Sequence, residues 1–177
     1  GINVITNTKL LKCNEDHLEL SNGTKIHHSF IIFTGGIEAS TITSELDVEK
    51  NGRGQIIVNE FMQSNKYPNI FAIGDMAEIK NKKGEIMPPN VTIARISGTN
   101  AGQNILRLIK KKKLIACDPK LEGILIALGG KYAAGNLYGL IHVQGRIAYE
   151  IKKYVFSSYR KPLLKLIKAG YARLKKL

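Results

Sequence analysis

The sequence predicts a mixed α/β fold. Short apolar runs bounded by turn residues, such as Ser29–Phe33 and Ile70–Ile73, are typical of strands. From Thr92 to about Lys111, apolar side chains instead recur near a period of 3.6, which predicts an amphipathic helix. The chain has 177 residues, 44% of them apolar, which suits one globular domain or one and a half small ones.

The first part of the chain reads as β-structure. Leu10–Cys13 and His17–Leu20 alternate apolar and polar residues and predict two strands. Asn22-Gly23 indicates a tight turn, because both residues tolerate a positive φ. Ser29–Phe33 is a compact apolar run that predicts a strand buried on both faces, and it leads directly into Thr34-Gly35-Gly36.

The middle of the chain predicts a hairpin, a second buried strand and a helix. Asn51–Gly54 is the predicted hairpin turn, and Gln55–Asn59 is its second strand. Ile70–Ile73 predicts a short buried strand that ends in Gly74-Asp75. Pro88-Pro89-Asn90 is a stiff entry to the helix that follows.

The last third predicts a strand at Leu121–Leu128, closed by Gly129-Gly130. The glycine-rich stretch Tyr132–Gly145 is ambiguous. From Arg146 the pattern is helical to the end, with one break at Pro162, which suits the first turn of a new helix because its missing N–H costs little there.

Charge is unevenly distributed along the chain. The net charge is +13; residues 1–104 hold 10 Lys/Arg against 11 Asp/Glu, and residues 105–177 hold 17 against 3. The basic part is therefore expected to face an anionic membrane surface, nucleic acid or an acidic partner. Two cysteines, Cys13 and Cys117, provide no disulfide framework.

The motif with the clearest chemical meaning is Ile70-Phe71-Ala72-Ile73-Gly74-Asp75. A hydrophobic strand delivers Gly-Asp to its carboxyl end, where ligands bind in open α/β sheets. Gly74 has no Cβ, so a ligand can approach the backbone closely. The Asp75 carboxylate can accept hydrogen bonds from sugar or ribitol hydroxyls. The alternative is an ordinary turn, since Gly-Asp is a common turn pair.

Two further motifs, one before and one after it in the sequence, support a ligand-binding role for this motif. Thr34-Gly35-Gly36 precedes it, and Met87-Pro88-Pro89-Asn90 follows it directly before a helix. Together they resemble the C-terminal half of the two-dinucleotide-fold flavoprotein reductases, the pyridine nucleotide-disulfide oxidoreductase superfamily. Ala127–Gly135, the Gly145-Arg146 step and the basic C-terminus resemble type II (non-proton-pumping) NADH dehydrogenases most.

The resemblance implies an FAD cofactor and NAD(P)H as hydride donor, with electrons passing on to a quinone or another acceptor. Asp75 would hold the FAD ribitol, and Gly35 and Gly36 would pass close to the adenine-dinucleotide end. Backbone N–H groups around Asn90–Thr92 would point at the flavin ring from a helix N-terminus. No acid–base catalytic residue is demanded, because the flavin performs the hydride transfer. The implied cofactor-binding set is Thr34, Gly35, Gly36, Gly74, Asp75, Asn90, Val91 and Thr92.

Two departures from the family pattern stand out. The Gly-x-Gly-x-x-Gly fingerprints for FAD and NADH are absent from these 177 residues, so we expect a missing N-terminal half or a companion chain to supply them. The glutamines usual on the quinone side of the helix are replaced by Val91–Ser97, which places quinone as acceptor in doubt. Thr92 and Ser97 remain as potential hydrogen-bond donors to a carbonyl.

The C-terminal segment has an apolar stripe opposed by lysines and arginines, which is typical of a helix lying in an anionic membrane surface. A helix pair packed on the domain with a solvated basic face is the alternative. The family resemblance favours a peripheral position on the cytoplasmic side of a membrane, and such helices can also form homodimers. The expected membrane-contacting residues are Ile167, Lys168, Tyr171, Leu174 and Lys175.

Four segments are predicted from these observations. Residues 1–36 would be the end of the nicotinamide domain with its return strand, and residues 37–113 part of the FAD-binding domain. Residues 114–145 would be a β-containing cap, and residues 146–177 the basic amphipathic anchor.

Two rival functions remain. A sulfide:quinone-type oxidoreductase would need reactive cysteines, of which only Cys117 is remotely available. A non-catalytic basic module could bind an anionic membrane or nucleic acid, but the chain has no aromatic platform for nucleic acid, so we expect none as partner. We also expect no metal site, since Cys13, His17 and His27-His28 lie on predicted β-structure where they do not converge.

Overall fold

The computed structural model describes the backbone of residues 2–174 and the side chains of residues 2–167. It confirms a mixed α/β fold, with eight strands and two α-helices among these residues. The chain divides into two compact units, Gly1–Ile37 and Glu38–Leu177, one residue from the predicted boundary between residues 36 and 37. The functional assignment of the four segments stays a prediction.

The first unit contains a three-stranded antiparallel sheet in the order β1-β2-β3. Strand β1 is Leu10–Cys13, β2 is His17–Leu20 and β3 is Lys25–His27, so both predicted strands are confirmed. The predicted turn lies between β2 and β3, where Gly23 has a φ of +82°. The Asn22 Oδ1 atom accepts a hydrogen bond of 3.0 Å from the Thr24 N–H.

The predicted buried strand at Ser29–Phe33 is wrong. These residues form no strand, and the side chains of Phe30, Ile32 and Phe33 are 80%, 76% and 74% exposed. A strand needs a neighbour to pair its backbone groups, and none of the described strands lies beside this run. Its apolar side chains therefore face water.

The second unit contains two sheets and both helices. Strands β4 (Ile56–Ile57) and β5 (Ala77–Glu78) pair in parallel, and helix α1 is Val91–Ile109. Strands β6 (Gly123–Gly129), β7 (Tyr132–Leu137) and β8 (Ile141–Gln144) form an antiparallel sheet, and helix α2 is Gly145–Leu174. The predicted helix at 92–111 and strand at 121–128 are each confirmed to within two residues.

The predicted strand Ile70–Ile73 is only partly formed. A single bridge joins Phe71 to Gln63. Ala72 is buried, whereas the Ile73 side chain is 42% exposed. The run is short because it pairs with a tight turn rather than with a long neighbouring strand.

Three tight turns in residues 51–85 share one construction. Each begins at an asparagine (Asn51, Asn59 or Asn81) whose Oδ1 accepts backbone N–H bonds from the residues two and four positions later, at 2.9–3.1 Å. The residue three positions after the asparagine has a positive φ, +73° at Gly54, +67° at Met62 and +79° at Gly84. The asparagine side chains thus pair backbone groups that strands do not reach.

The hydrophobic core of the second unit forms around α1. Ile93 and Ala101 of this helix are buried in a cluster with Ile56, Met62 and Ile79. Met62 is 1% exposed, so burial of its side chain compensates for the left-handed backbone, which costs about 1–2 kcal/mol in a residue with a Cβ.

Asn104 joins α1 to the segment that follows it. Its fully buried amide donates to the Phe61 carbonyl at 3.2 Å and to the Ile115 carbonyl at 3.0 Å. Its Oδ1 accepts the Ile115 N–H at 2.8 Å. Neighbouring Asn100 donates to the same Ile115 carbonyl, so Ile115 is fixed to α1 by two side-chain amides.

Helix α2 packs on β7, where Ala133 and Ala148 are fully buried. The predicted break at Pro162 is wrong, because α2 continues through this residue. Proline removes the N–H that the Ser158 carbonyl would accept. Both residues are exposed, so water can hydrogen-bond that carbonyl. Among the described helices, none is long and apolar enough to cross a membrane.

Asn104→Ala should lower the free energy of unfolding by about 3 kcal/mol, because it removes a fully buried amide and leaves the Phe61 carbonyl and the Ile115 N–H without their partner. Urea denaturation measures this change. The exposed neighbour Gln103 provides the control, since Gln103→Ala should change stability by about 0.5 kcal/mol or less. Equal effects of the two substitutions would contradict the role assigned to Asn104.

Candidate functional site

The candidate site is centred on a 3-10 turn at Gly74–Met76, called here the Gly-Asp turn. Gly74 has a φ of +60°. A Cβ built on Gly74 would lie 3.3 Å from the Ala94 Cβ of α1, so glycine is required both by the backbone conformation and by the close approach of the helix. The Asp75 side chain is exposed.

Two buried side chains hold the backbone of this turn at two points. Ser97 on α1 is fully buried, and its Oγ accepts the Gly74 N–H at 3.1 Å while donating to the Ile93 carbonyl at 2.8 Å. Gln55 is 8% exposed, and its Nε2 donates to the Asp75 carbonyl at 3.0 Å. The Gly-Asp turn is therefore hydrogen-bonded to α1 through Ser97. It is also hydrogen-bonded, through Gln55, to the asparagine turn that begins at Asn51.

Gln55 is itself held by a polar network. The Asn51 Nδ2 donates to the Gln55 Oε1 at 2.9 Å and to the Glu78 carboxylate at 3.0 Å. The hydrogen bond from Asn51, and next the ammonium of Lys80 at 3.3 Å, keep the pKa of the buried Glu78 carboxyl below its usual value despite the opposing effect of burial. Glu78 is thus a charged acceptor that orients Asn51.

The N-terminus of α1 lies one turn from Ala94, which contacts Gly74. Asn90 caps it, since its Oδ1 accepts the Ile93 N–H at 3.0 Å. The N–H groups of Val91 and Thr92 have no acceptor among the described residues. The structure therefore places Gly74, Asp75, Asn90, Val91 and Thr92 in one region of the second unit.

A groove of about 430 Å³ lies between this helix N-terminus and α2. The Thr92 Oγ1 is hydrogen-bonded to the Tyr159 hydroxyl at 2.9 Å, and the Arg95 guanidinium lies 5.4 Å from the centre of the Tyr159 ring. The Lys152 Nζ donates to the Leu125 carbonyl at 2.6 Å. The groove is lined by apolar and aromatic groups together with two lysines, including Val91, Tyr149, Lys152, Val155, Phe156 and Tyr159.

The expectation that Ser97 is available to a ligand carbonyl is wrong, because its hydroxyl is fully buried and engaged with Gly74 and Ile93. The hydroxyl of Thr92 is shared with Tyr159. Sequence reasoning missed Gln55, Tyr159 and Lys152, because nothing local to these residues indicates what lies opposite them in the fold.

The remaining predicted cofactor residues, Thr34, Gly35 and Gly36, lie in the first unit and are exposed. Gly36 has a φ of +115°, a conformation that favours glycine. Their role in cofactor binding stays a prediction.

Of the predicted membrane-contacting residues, the described side chains include only Ile167, which is 48% exposed. Lys168, Tyr171, Leu174 and Lys175 lie outside the residues with described side chains. Elsewhere on α2 the structure exposes several large apolar side chains, among them Ile147, Tyr154, Phe156, Leu163 and Leu166.

Cys117 is buried, and burial, with a further effect of Asp118, raises the pKa of its thiol. A thiol of this kind is a poor nucleophile at neutral pH. Within the described residues, no group of three or more His, Cys, Asp or Glu side chains is arranged to hold a metal ion.

The family model and the curated relatives that match this chain agree with one another. A family model described as pyridine nucleotide-disulphide oxidoreductase matches residues 1–98. A type II NADH:quinone oxidoreductase of Haemophilus influenzae is 29% identical over 176 residues, covering 96% of this chain and 40% of that protein. Demethylphylloquinone reductase NdbB of Synechocystis is 29% identical over 132 residues, covering 75% of this chain and 32% of that protein.

Among solved structures, the sulfide:quinone oxidoreductase of Aquifex aeolicus has a TM-score of 0.61 at 19% identity, covering 88% of this chain and 40% of that chain. This likeness concerns the fold. The chain spans two fifths or less of the length of these three proteins.

Gly74→Ala should destabilise the protein by about 1–2 kcal/mol, because alanine at a φ of +60° is strained and its Cβ crowds Ala94. Gly102 in α1 is the matched control. A Cβ there meets nothing within 4 Å, so Gly102→Ala should stabilise by about 0.5–1 kcal/mol. Urea unfolding of both variants checks the opposite signs, and two changes of the same sign would refute the strain at Gly74.

Proposed function

This chain belongs to the pyridine nucleotide-disulphide oxidoreductase family, and from that premise we propose that it forms the C-terminal part of an FAD-dependent NAD(P)H dehydrogenase acting at a membrane surface. The observation that carries the proposal is the Gly-Asp turn. It presents an exposed carboxylate next to a helix N-terminus with unpaired N–H groups among the described residues.

The residues of the Gly-Asp turn fit the ribityl part of FAD. Gly74 lacks a side chain and permits a close approach to the backbone. Asp75 offers carboxylate oxygens that can accept hydrogen bonds from ribityl hydroxyls, and charge-assisted bonds of this kind are the stronger ones. Ser97 and Gln55 keep the backbone in place, so little ordering is left for the moment of binding.

The first turn of α1 fits the flavin ring, which gains negative charge when it is reduced. The N–H groups of Val91 and Thr92 and the positive end of the helix dipole favour negative charge. Bound FAD would supply the redox chemistry by accepting a hydride from NAD(P)H, while these residues would orient the ring. Thr34, Gly35 and Gly36 would approach the adenine-dinucleotide end of the cofactor.

The acceptor we propose is a quinone. Two relatives are named as reductases of quinones, and the groove beside Val91 has the apolar and aromatic walls that suit a quinone ring. The family's glutamines are absent here, so Tyr159 and Lys152 would be the hydrogen-bond donors to the quinone carbonyls. The buried Cys117 thiol, whose pKa is raised by burial, does not favour a sulfide-oxidising role.

Helix α2 would hold the protein on the cytoplasmic face of the membrane. It carries exposed apolar side chains between lysines and arginines, an arrangement that suits the boundary between lipid headgroups and acyl chains. Partial burial of this stripe in lipid would place the groove near the membrane, where a lipid-soluble acceptor is concentrated.

In the polypeptide as its gene encodes it, Asp75→Ala should raise the dissociation constant for FAD by about 10–100-fold, because it removes a charged hydrogen-bond acceptor worth about 1.5–3 kcal/mol. Flavin absorbance that co-elutes with the protein, followed by titration of the apoprotein, measures this effect. Glu60→Ala removes an exposed carboxylate elsewhere in the unit and should leave the affinity unchanged. A parent polypeptide without flavin affinity would refute the proposed function.

The double variant Leu163→Ser/Ile167→Ser should weaken binding to vesicles of phosphatidylcholine and phosphatidylglycerol by about tenfold, because it removes two apolar contacts. Co-sedimentation measures binding, which should also weaken at high salt as the basic side chains are screened. The matched control is Leu106→Ser/Ile109→Ser on the exposed face of α1, which should bind as the parent does. Binding to a DNA duplex but not to these vesicles would contradict the membrane proposal.

A further inference from the structure

The three asparagine turns differ in what their last residue does. In the first, the Gln55 amide donates to the Asp75 carbonyl at the candidate cofactor site. In the second, the equivalent Gln63 donates to the Pro68 carbonyl, in the turn that precedes residues 70–73. In the third, Glu85 accepts the Asn81 Nδ2 on the surface. The last residues of the three asparagine turns therefore make three different hydrogen bonds. Among the described residues, only that of the first turn, Gln55, binds the Gly-Asp turn.

Among the described residues, the Gln55 side chain makes two hydrogen bonds, one with Asn51 and one with the Asp75 carbonyl. It is 8% exposed, and its two polar ends join Asn51 to the Asp75 carbonyl. The turn itself is closed by Asn51, whose Oδ1 accepts the Arg53 and Gln55 N–H groups. A smaller or apolar side chain at position 55 would leave that turn intact while releasing the peptide group that follows Asp75.

We infer that Gln55 is a positioning residue for the cofactor site, fixing the peptide after Asp75 so that the Asp75 Cα–Cβ bond points in one direction. The inference rests on the proposed function, since it assigns to Gln55 a part in FAD binding. Ser97 fixes the N–H that precedes the turn's first Cα, and Gln55 fixes the carbonyl that follows the Asp75 Cα. With both ends held, the direction of the Asp75 Cα–Cβ bond is set.

The charged carboxylate of Glu78 determines the orientation of the Gln55 side-chain amide through Asn51. Asn51 donates to the Glu78 carboxylate and to the Gln55 Oε1, and this fixes which end of the Gln55 amide is the oxygen. The Gln55 Nε2 is consequently turned toward Asp75. A glutamine that could flip would present its oxygen to a carbonyl oxygen and repel it, so the network selects the orientation that holds the turn.

The experiment compares Gln55→Met with Gln63→Met in the polypeptide as its gene encodes it. Both residues are buried glutamines at the same position of the same turn, so both variants should lower Tm to a similar extent. Gln55→Met should also raise the dissociation constant for FAD about tenfold and broaden the visible absorption of the bound flavin. Gln63→Met should leave the FAD dissociation constant within twofold of the parent value.

Gln55→Asn and Gln63→Asn provide a second pair if the methionine variants fold poorly. They keep the amide but shorten the side chain, and only Gln55→Asn should weaken FAD binding. Equal FAD dissociation constants in the parent and both position-55 variants, or an equal rise in both members of a pair, would overturn the inference and leave FAD binding standing. A parent polypeptide that binds no FAD would overturn the proposed function together with the inference.

Discussion

The hydrogen bond between a side chain and the backbone is the interaction on which residues 50–119 depend. This segment has one long helix but only two strands of two residues each, so regular pairing satisfies few of its backbone groups. Unpaired buried N–H and C=O groups are costly. The three turn asparagines, Ser97 and Asn104 provide the missing partners. The backbone conformation at the candidate site follows from this requirement.

The sequence predicted elements whose causes are local. Helix α1 was predictable because its apolar period and its Asn90 cap lie within the element, and β1 and β2 were predictable because the turns beside them are marked by polar residues. The turn at Asn59 was not, because Met62 occupies the left-handed position where a glycine would have marked it. Met62 adopts that conformation because the core holds its side chain, which is a tertiary cause.

The same distinction applies to the candidate site. Gly74, Asp75 and Asn90 were identifiable from a strand-like run, a turn pair and a helix start, all read along the chain. Gln55 and Ser97 lie 20 and 23 positions from the backbone groups they bind, so only the fold relates them. Pro162 failed as a marker for a related reason: the carbonyl that it leaves without a backbone donor is on an exposed surface, where water can hydrogen-bond it.

Both units expose apolar side chains, but the residues that surround these side chains differ between the units. Phe30, Ile32 and Phe33 belong to a run with the β-branched and aromatic composition of a fully buried strand, yet they face water. Other strands would have to pair with such a run for it to be buried. The apolar side chains of α2 are instead interleaved with lysines and arginines. A protein core would have to bury those charges, whereas an anionic lipid surface neutralises them. Under the proposed function, the first surface would pair with protein and the second would lie on lipid.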